Sequence, residues 1–547
     1  MDKGILFTNG SVFVGGEFAP RGTSVLIMGN RIAAVGAEVG AADESRGAEV
    51  VDLGGGTLLP GFIDAHAHPV FGGMQLLGCD LTAAEDAAGY LGIIDRYARA
   101  NPDREWITGG GWAMTAFPGG IPTRQALDAV VGDRPVFLQN RDGHGAWANS
   151  KALELAGIDK RTADPSDGRI ERDDRGDPVG MLQEGAMQLV SRVLPPVTDE
   201  DRYRGLLAGQ DYLLSLGVTG WQDAIVGRGF GQDDATDAYR RAASAGTLLA
   251  NVVGALWWRR HEGLEQLEEL LHRRASDGAG RFRPTSVKMM LDGVAENHTA
   301  ALLDPYLDSH GCATENSGLD FIDPDELPRF VTELDALGFQ VHFHALGDRA
   351  VRNALDAVEA ARHVNKGSTI RHHLAHLQVI HPDDIPRFAA LGATANIQPL
   401  WATNEAQMTE LTIPFLGETR AAWQYPFAAL ATAGAQIAGG SDWPVSSPDP
   451  LLGIHVAVNR SLPDSVTRPF LPEQAISLRT ALAAYTAGSA RINGLESTVG
   501  LIKAGYDADL AIVDADLAAI PDSEICQASV RQTWVRGELA YDREENQ

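Results

Sequence analysis

Short apolar runs, each followed by a stretch of helical periodicity, recur through the middle of the chain. They are LLPGFIDAH (58–66), GVTGWQDA (217–224), LLANVVGALWW (248–258), PTSVKMML (284–291), FQVHFHA (339–345), STIRHHLAH (368–376), GATANIQP (392–399) and AQIAGGSD (435–442). This alternation predicts an α/β fold with a parallel sheet and crossover helices, and eight such units point to a (β/α)8 TIM-like barrel. The two ends read differently. ILFTNGSVFVGG, TSVLIMGNRIAAVG and AEVVDLGGGTLLPG at the start, and ADLAIVDAD and SVRQTWVRGELAYD at the finish, are β-branched runs punctuated by Gly and Asn. They predict a small β-sandwich built from both ends, residues 1–58 and 490–547, around a barrel over 59–489. Between the first and second barrel runs lies a long stretch with its own strand-like run (134–140) and helix (149–157), followed by a polar, turn-rich segment (159–180). It is expected to form an inserted subdomain, 72–215, over the barrel mouth.

Composition narrows the class of partner. The 547 residues are 44% hydrophobic and 22% charged, an ordinary globular balance, and carry a formal charge of −28. That charge repels phosphate backbones and anionic lipid, so neither nucleic acid nor a membrane is expected as a partner. Cys79, Cys312 and Cys526 lie far apart without a CxxC, which fits a reducing compartment. No basic segment followed by a long apolar one opens the chain, and no stretch is apolar enough to span a bilayer. A cytoplasmic protein is expected, with a homodimer as the default oligomer.

Polar residues of ligand type stand where the apolar runs end. The first run leads into Asp64-Ala65-His66-Ala67-His68, and residues two apart on a strand share a face. Lys288 lies in the fourth run, while His344, His376 and Asp442 stand at or beside the ends of the fifth, sixth and eighth. In a (β/α)8 barrel these ends form one rim, so residues far apart in sequence fall into a single ring. Each residue alone has a plainer reading: a core histidine, a snorkelling lysine, a Gly-Ser-Asp turn. The joint pattern favours a divalent metal bound by nitrogen and oxygen, such as Zn²⁺, Mn²⁺, Fe²⁺ or Co²⁺.

PGFIDAHAHP, the lysine-bearing fourth run, HALGDRAV, RHHLAHLQ and GSDWPVSSPDPL resemble the metal-dependent amidohydrolase superfamily over essentially the whole chain. DGHGAWANSKAL, GMLQEGAM and KMMLDGVAENHTAALLDPYLD are similar to its branch that includes N-substituted formamide deformylase. The resemblance implies that His66 and His68 bind a more buried metal, and His344 and His376 a more exposed one. Lys288 bridges the two as an N-carboxylate, with Glu184 as the rival bridging carboxylate; if Glu184 bridges, or only one metal binds, Lys288 takes a structural or substrate-binding role. Asp442 touches the buried metal and acts as acid and base toward the attacking water. The family pattern prefers His344 over His342, and His376 over His372 and His373. Asp64 and Asp348 are candidates to orient the imidazoles.

The activity so implied is hydrolysis of a linear, non-peptide C–N bond in a small-molecule amide or N-substituted formamide, with zinc as the expected metal. Hydrolysis of a cyclic amide, lactone or N-acyl amino acid on the same site is the alternative. Deamination is disfavoured because Ala345-Leu346-Gly347-Asp348, without Glu, follows His344. A non-catalytic scaffold is disfavoured because every candidate ligand position keeps a ligand type. Trp112, Trp147, Trp257, Trp258, Trp401 and Trp443 lie near run ends or in the insert, and some of them, with Trp112 and Trp443 foremost, are expected to line an aromatic pocket. Arg141 and His144 are expected to face the barrel mouth, with His144 meeting the substrate carbonyl.

Overall fold

A computed structural model describes residues 4–229, 233–463 and 465–545. Eight parallel strands form one sheet in sequence order: β1 (Phe62–Ala67), β2 (Val218–Val226), β3 (Asn251–Trp257), β4 (Phe282–Met290), β5 (Gln340–Ala345), β6 (His373–His376), β7 (Thr394–Ile397) and β8 (Gln436–Gly439). Every one of the eight apolar runs contributes one barrel strand. The first run is divided, however. Thr57–Pro60 pairs with Leu510–Val513 in a different sheet, and β1 begins only after Gly61, whose N–H donates to the Asp509 carbonyl at 2.8 Å.

The barrel closes at a seam between β8 and β1 rather than through a full ladder. Beyond β8, the Asp442 N–H donates to the His66 carbonyl at 2.7 Å and the His68 N–H to the Trp443 carbonyl at 2.8 Å. Gly440 is required there, since a Cβ would meet the His66 backbone nitrogen at 2.8 Å. The barrel floor is polar and internally bonded. Gln222 Nε2 donates to Ser286 Oγ at 2.9 Å, and that hydroxyl donates to Gln340 Oε1 at 2.8 Å. Side chains thus fill the interior as a packed plug, leaving function to the upper rim.

Between β1 and β2 the chain builds a six-stranded sheet over residues 79–184, with a core of its own around Leu138, Trp147 and Met181. The helix that follows, α2 (Asp199–Ser215), falls inside the range 72–215 but packs on α1 (Pro69–Leu76), the helix directly after β1. The two cross at glycine, where a Cβ on Gly73 would sit 1.8 Å from the Gly205 carbonyl oxygen. Thr198 and Asp201 start α2 with a reciprocal capping box.

The chain ends supply two further sheets. One contains only N-terminal strands, within residues 5–52; the other joins Ser11–Val12 and Thr57–Pro60 to three strands within 510–542. Phe7, Val25, Leu58, Leu510 and Trp534 share the core between them. The stretch directly after residue 489 lies outside these sheets: Ala490, Leu495 and Val499 pack against Ile63. Among the described residues, no helix is long and apolar enough to cross a membrane.

Candidate metal centre

The strand pattern puts His66 and His68 on one face of the β1 segment, and the seam brings Asp442 to them. Asp442 Oδ1 lies 3.1 Å from His66 Nε2 and 3.0 Å from His68 Nε2. His376 Nδ1 is 3.8 Å from the other carboxylate oxygen, and ligand atoms of His66, His376 and Asp442 all lie within 4.8 Å of one another. Lys288 Nζ reaches to 3.4 Å from His66 Nε2. The His344 and His376 rings are 4.5 Å apart. The structure therefore gathers all six residues, His66, His68, Lys288, His344, His376 and Asp442, along the wall of one cavity of ≈ 130 Å³.

The protonation states suit a cation. Burial, joined by the nearby Lys288 ammonium, pushes His66 down to about 3. His344 and His376 are likewise held well below the usual imidazole range by burial first. Burial alone would raise Asp442, yet the His66 and His68 imidazoles hold its carboxyl well below the usual range. Lys288 is pulled by burial to about 7, and among the described residues it forms no ion pair. Neutral imidazoles around an ionised carboxylate are the donor set a borderline divalent metal requires. The Nδ1 atoms of His68 and His376 are buried without a hydrogen-bond partner among the described residues, which also fits ligation. His376 and Asp442 adopt positive φ of 79° and 58°, a conformation retained by non-glycine residues chiefly where function demands it.

Support for the cluster differs from the expectation. Asp64 touches no imidazole; it accepts the backbone N–H groups of His66 at 2.9 Å and Ser441 at 3.0 Å, bracing the seam instead. Asp348 accepts the Leu303 N–H at 2.9 Å, so it fixes a loop. The residue that holds His66 is His342, one inward position below His344 on β5, with Nε2 2.9 Å from His66 Nδ1. Trp401 stacks on His376 at 5.0 Å with an interplanar angle of 3°.

Glu184 does not enter the cluster. Its carboxylate lies 3.0 Å from His144 Nδ1 and accepts the Thr299 hydroxyl at 3.3 Å, so it stands behind His144 and is no bridging ligand in this arrangement. Burial opposes charge on His144, but Glu184 and Asp142 outweigh it and lift the imidazole to about 9. His144 and Asp442 line both the metal-side cavity and a second, larger one of ≈ 450 Å³ that also takes in Arg141, Trp401 and Trp443. Trp112 lines neither. Its indole N–H donates to the Leu138 carbonyl at 2.9 Å inside the core of the inserted sheet, where its ring packs beside Trp147. Trp258 packs on Phe330, and Trp257 lines the metal side.

Asp223 was not singled out by the sequence, although it too ends a barrel run. It lines the smaller cavity, accepts the Tyr239 hydroxyl at 2.6 Å and is raised by burial to about 6. Asp292, just past β4, accepts three backbone N–H groups, from Ala301, Leu346 and Gly347, and so ties the loop after β4 to the loop after β5.

A model of the amidohydrolase family matches residues 49–541. The chain is 30% identical to Protein LONG AFTER FAR-RED 3 of Arabidopsis thaliana, over 98% of this chain and 91% of that one. It is 30% identical to N-substituted formamide deformylase of Arthrobacter pascens, over 95% of each. Among solved structures, an uncharacterized metal-dependent hydrolase from Pyrococcus furiosus matches with a TM-score of 0.70 and 27% identity, covering 93% of this chain and 98% of that one. The histidine-rimmed barrel and these relatives agree, and the chain belongs to the amidohydrolase family as a metal-dependent hydrolase of carbon–nitrogen bonds.

Proposed function

We propose that the protein hydrolyses small linear amides, with N-substituted formamides as the leading class and zinc as the metal. The observation that carries this reading is Asp442, whose Oδ1 lies within 3.1 Å of both imidazoles of the His66/His68 pair where the two cavities meet. A bound divalent ion supplies Lewis acidity, polarising the amide carbonyl and easing ionisation of the attacking water. The chain's own residues do the rest. Asp442, held ionised, takes a proton from the water as its oxygen adds to the carbonyl carbon, then returns that proton to the departing nitrogen. Lys288, buried and lowered to about 7 by burial against the opposing charge of Asp442, is in the state that favours reaction of its neutral amine with CO₂, losing one proton and leaving a carbamate as an additional oxygen donor. Val70, Phe71, Met74, Ile225, Trp257 and Met290 give the smaller cavity an apolar wall suited to a hydrophobic substituent.

The deciding experiment is a panel of N-alkyl and N-aryl-alkyl formamides, longer acyl amides, cyclic amides and lactones, assayed with zinc-loaded protein. Cleavage of linear amides, with formamides fastest, is expected. Turnover confined to lactones or cyclic amides would move the reading to the alternative substrates.

A further inference from the structure

The geometry points to His144 and Glu184, both carried by the inserted sheet, as a second catalytic element: His144 donates a hydrogen bond to the carbonyl oxygen of the substrate as it becomes an oxyanion, and Glu184 positions the ring for that task. The inference rests on the hydrolase reading of the site. Three features carry it.

The first is orientation. Both Glu184 carboxylate oxygens lie 3.0 Å from His144 Nδ1, so that nitrogen donates to the carboxylate. Nε2 then lies on the side of the ring turned away from Glu184. The ring lines both cavities, and its centroid is 6.2 Å from that of His344.

The second is fixation. The Glu184 backbone N–H donates to the His144 carbonyl at 2.9 Å, and the His144 N–H donates to Asp142 Oδ1 at 2.8 Å. Both side chains of the dyad are buried, and Thr299, from the loop after β4, donates its hydroxyl to Glu184. Glu184 sits at φ 50°, ψ −128°, outside the ordinary regions for a residue with a side chain. Such a conformation persists where its surroundings over-determine it.

The third is placement. The two cavities meet along Asp142, His144, His344, Asp442, Pro444 and Val445, and a scissile group shared between them lies beside His144 and Asp442. As the water oxygen bonds to the carbonyl carbon, the carbonyl π pair moves onto oxygen and His144 Nε2–H donates to it. When that pair returns, the C–N bond breaks and nitrogen leaves with the proton Asp442 took from the water. His144 keeps its own proton throughout, so the balance closes without a further reactant.

The test uses the full-length, zinc-loaded protein and the best linear amide of the panel, with metal content measured for every variant. His144→Ala is expected to lower kcat by about 10²-fold, the usual effect of removing one oxyanion donor, with KM within threefold and zinc unchanged. His144→Gln, which keeps an N–H donor, should recover part of that loss. Glu184→Gln should lower kcat about tenfold and change its pH profile, a readout that a merely structural role leaves in place. If wild type cleaves amides while His144→Ala and Glu184→Gln both stay within threefold of it, the dyad has no such role. If wild type cleaves no amide at all, the hydrolase reading itself fails and takes the oxyanion donor with it.

Discussion

Asp64 and Ser441 are joined twice across the barrel seam: the Ser441 N–H donates to Asp64 Oδ1 at 3.0 Å, and its hydroxyl donates to Oδ2. The same hydroxyl accepts the Trp443 N–H at 2.9 Å, so one oxygen braces both neighbours of Asp442. Ser441→Ala should therefore loosen Asp442 without touching a ligand. We expect zinc affinity or kcat to fall by 10–100-fold, as for other groups that orient ligands, read by competitive chelation and steady-state kinetics. Values within threefold of wild type would show that the backbone alone holds Asp442.

Gly440 is predicted to tolerate no side chain. The Cβ of Gly440→Ala would press on the His66 backbone nitrogen at 2.8 Å and its Cβ at 3.0 Å, both on a buried strand. Overpacking of this kind costs about 1–3 kcal/mol, so a lowered Tm together with reduced zinc occupancy is expected. An unchanged Tm would mean that the seam opens readily.

Asp442 and Lys288 should separate chemistry from binding. Asp442→Asn removes the proton acceptor while keeping the shape, and should retain most zinc but lose at least about 10²-fold in kcat. Lys288→Ala should lose metal and regain part of its activity when short carboxylic acids are added to replace the missing oxygen donor. A Lys288→Ala protein with full metal and activity would remove the lysine from the site.

Asp509 offers a pH-dependent prediction away from the metal. Burial raises its carboxyl from 3.8 to about 6, although the Arg536 N–H and the Asn251 side chain both donate to it. Between these two values the folded protein binds more protons at this site than the unfolded chain does. Its contribution is therefore neutral below pH 4, and stability falls as pH rises through 6. Asp509→Asn should leave the stability at pH 4 unchanged and raise it at pH 8 by about 2–3 kcal/mol, less whatever the altered hydrogen bonds remove. Denaturant unfolding at the two pH values checks this; equal effects at both would exclude the titration as the cause.

All eight barrel strands could be read in the sequence because each joins an apolar run to a polar end, and barrel geometry turns those ends into one rim. That logic singled out the six residues that the structure places along one cavity, whereas His144 was read from the inserted stretch. It did not separate Trp112 from Trp443, since both are large aromatics near strand ends and only the packing shows that one is core and the other lines a cavity. Glu184 carries the ligand chemistry expected of a bridge, but the turn at φ 50° and the reach of His144 carry its carboxylate elsewhere. The bracing by Asp64, and that of His66 by His342, depend on which strands become neighbours when the sheet curls. The division of the first apolar run at Gly61 was hidden for a related reason: both halves are buried, each in a different sheet.

That division gives the protein an order of assembly. The strand leading into His66 is completed by Leu510–Val513, and Gly61 is pinned by the Asp509 carbonyl. A nascent chain that has emerged as far as Asp442 already holds every candidate ligand. It still lacks the partner strand that anchors the first two of them, so the seating of His66 and His68 waits on Leu510–Val513.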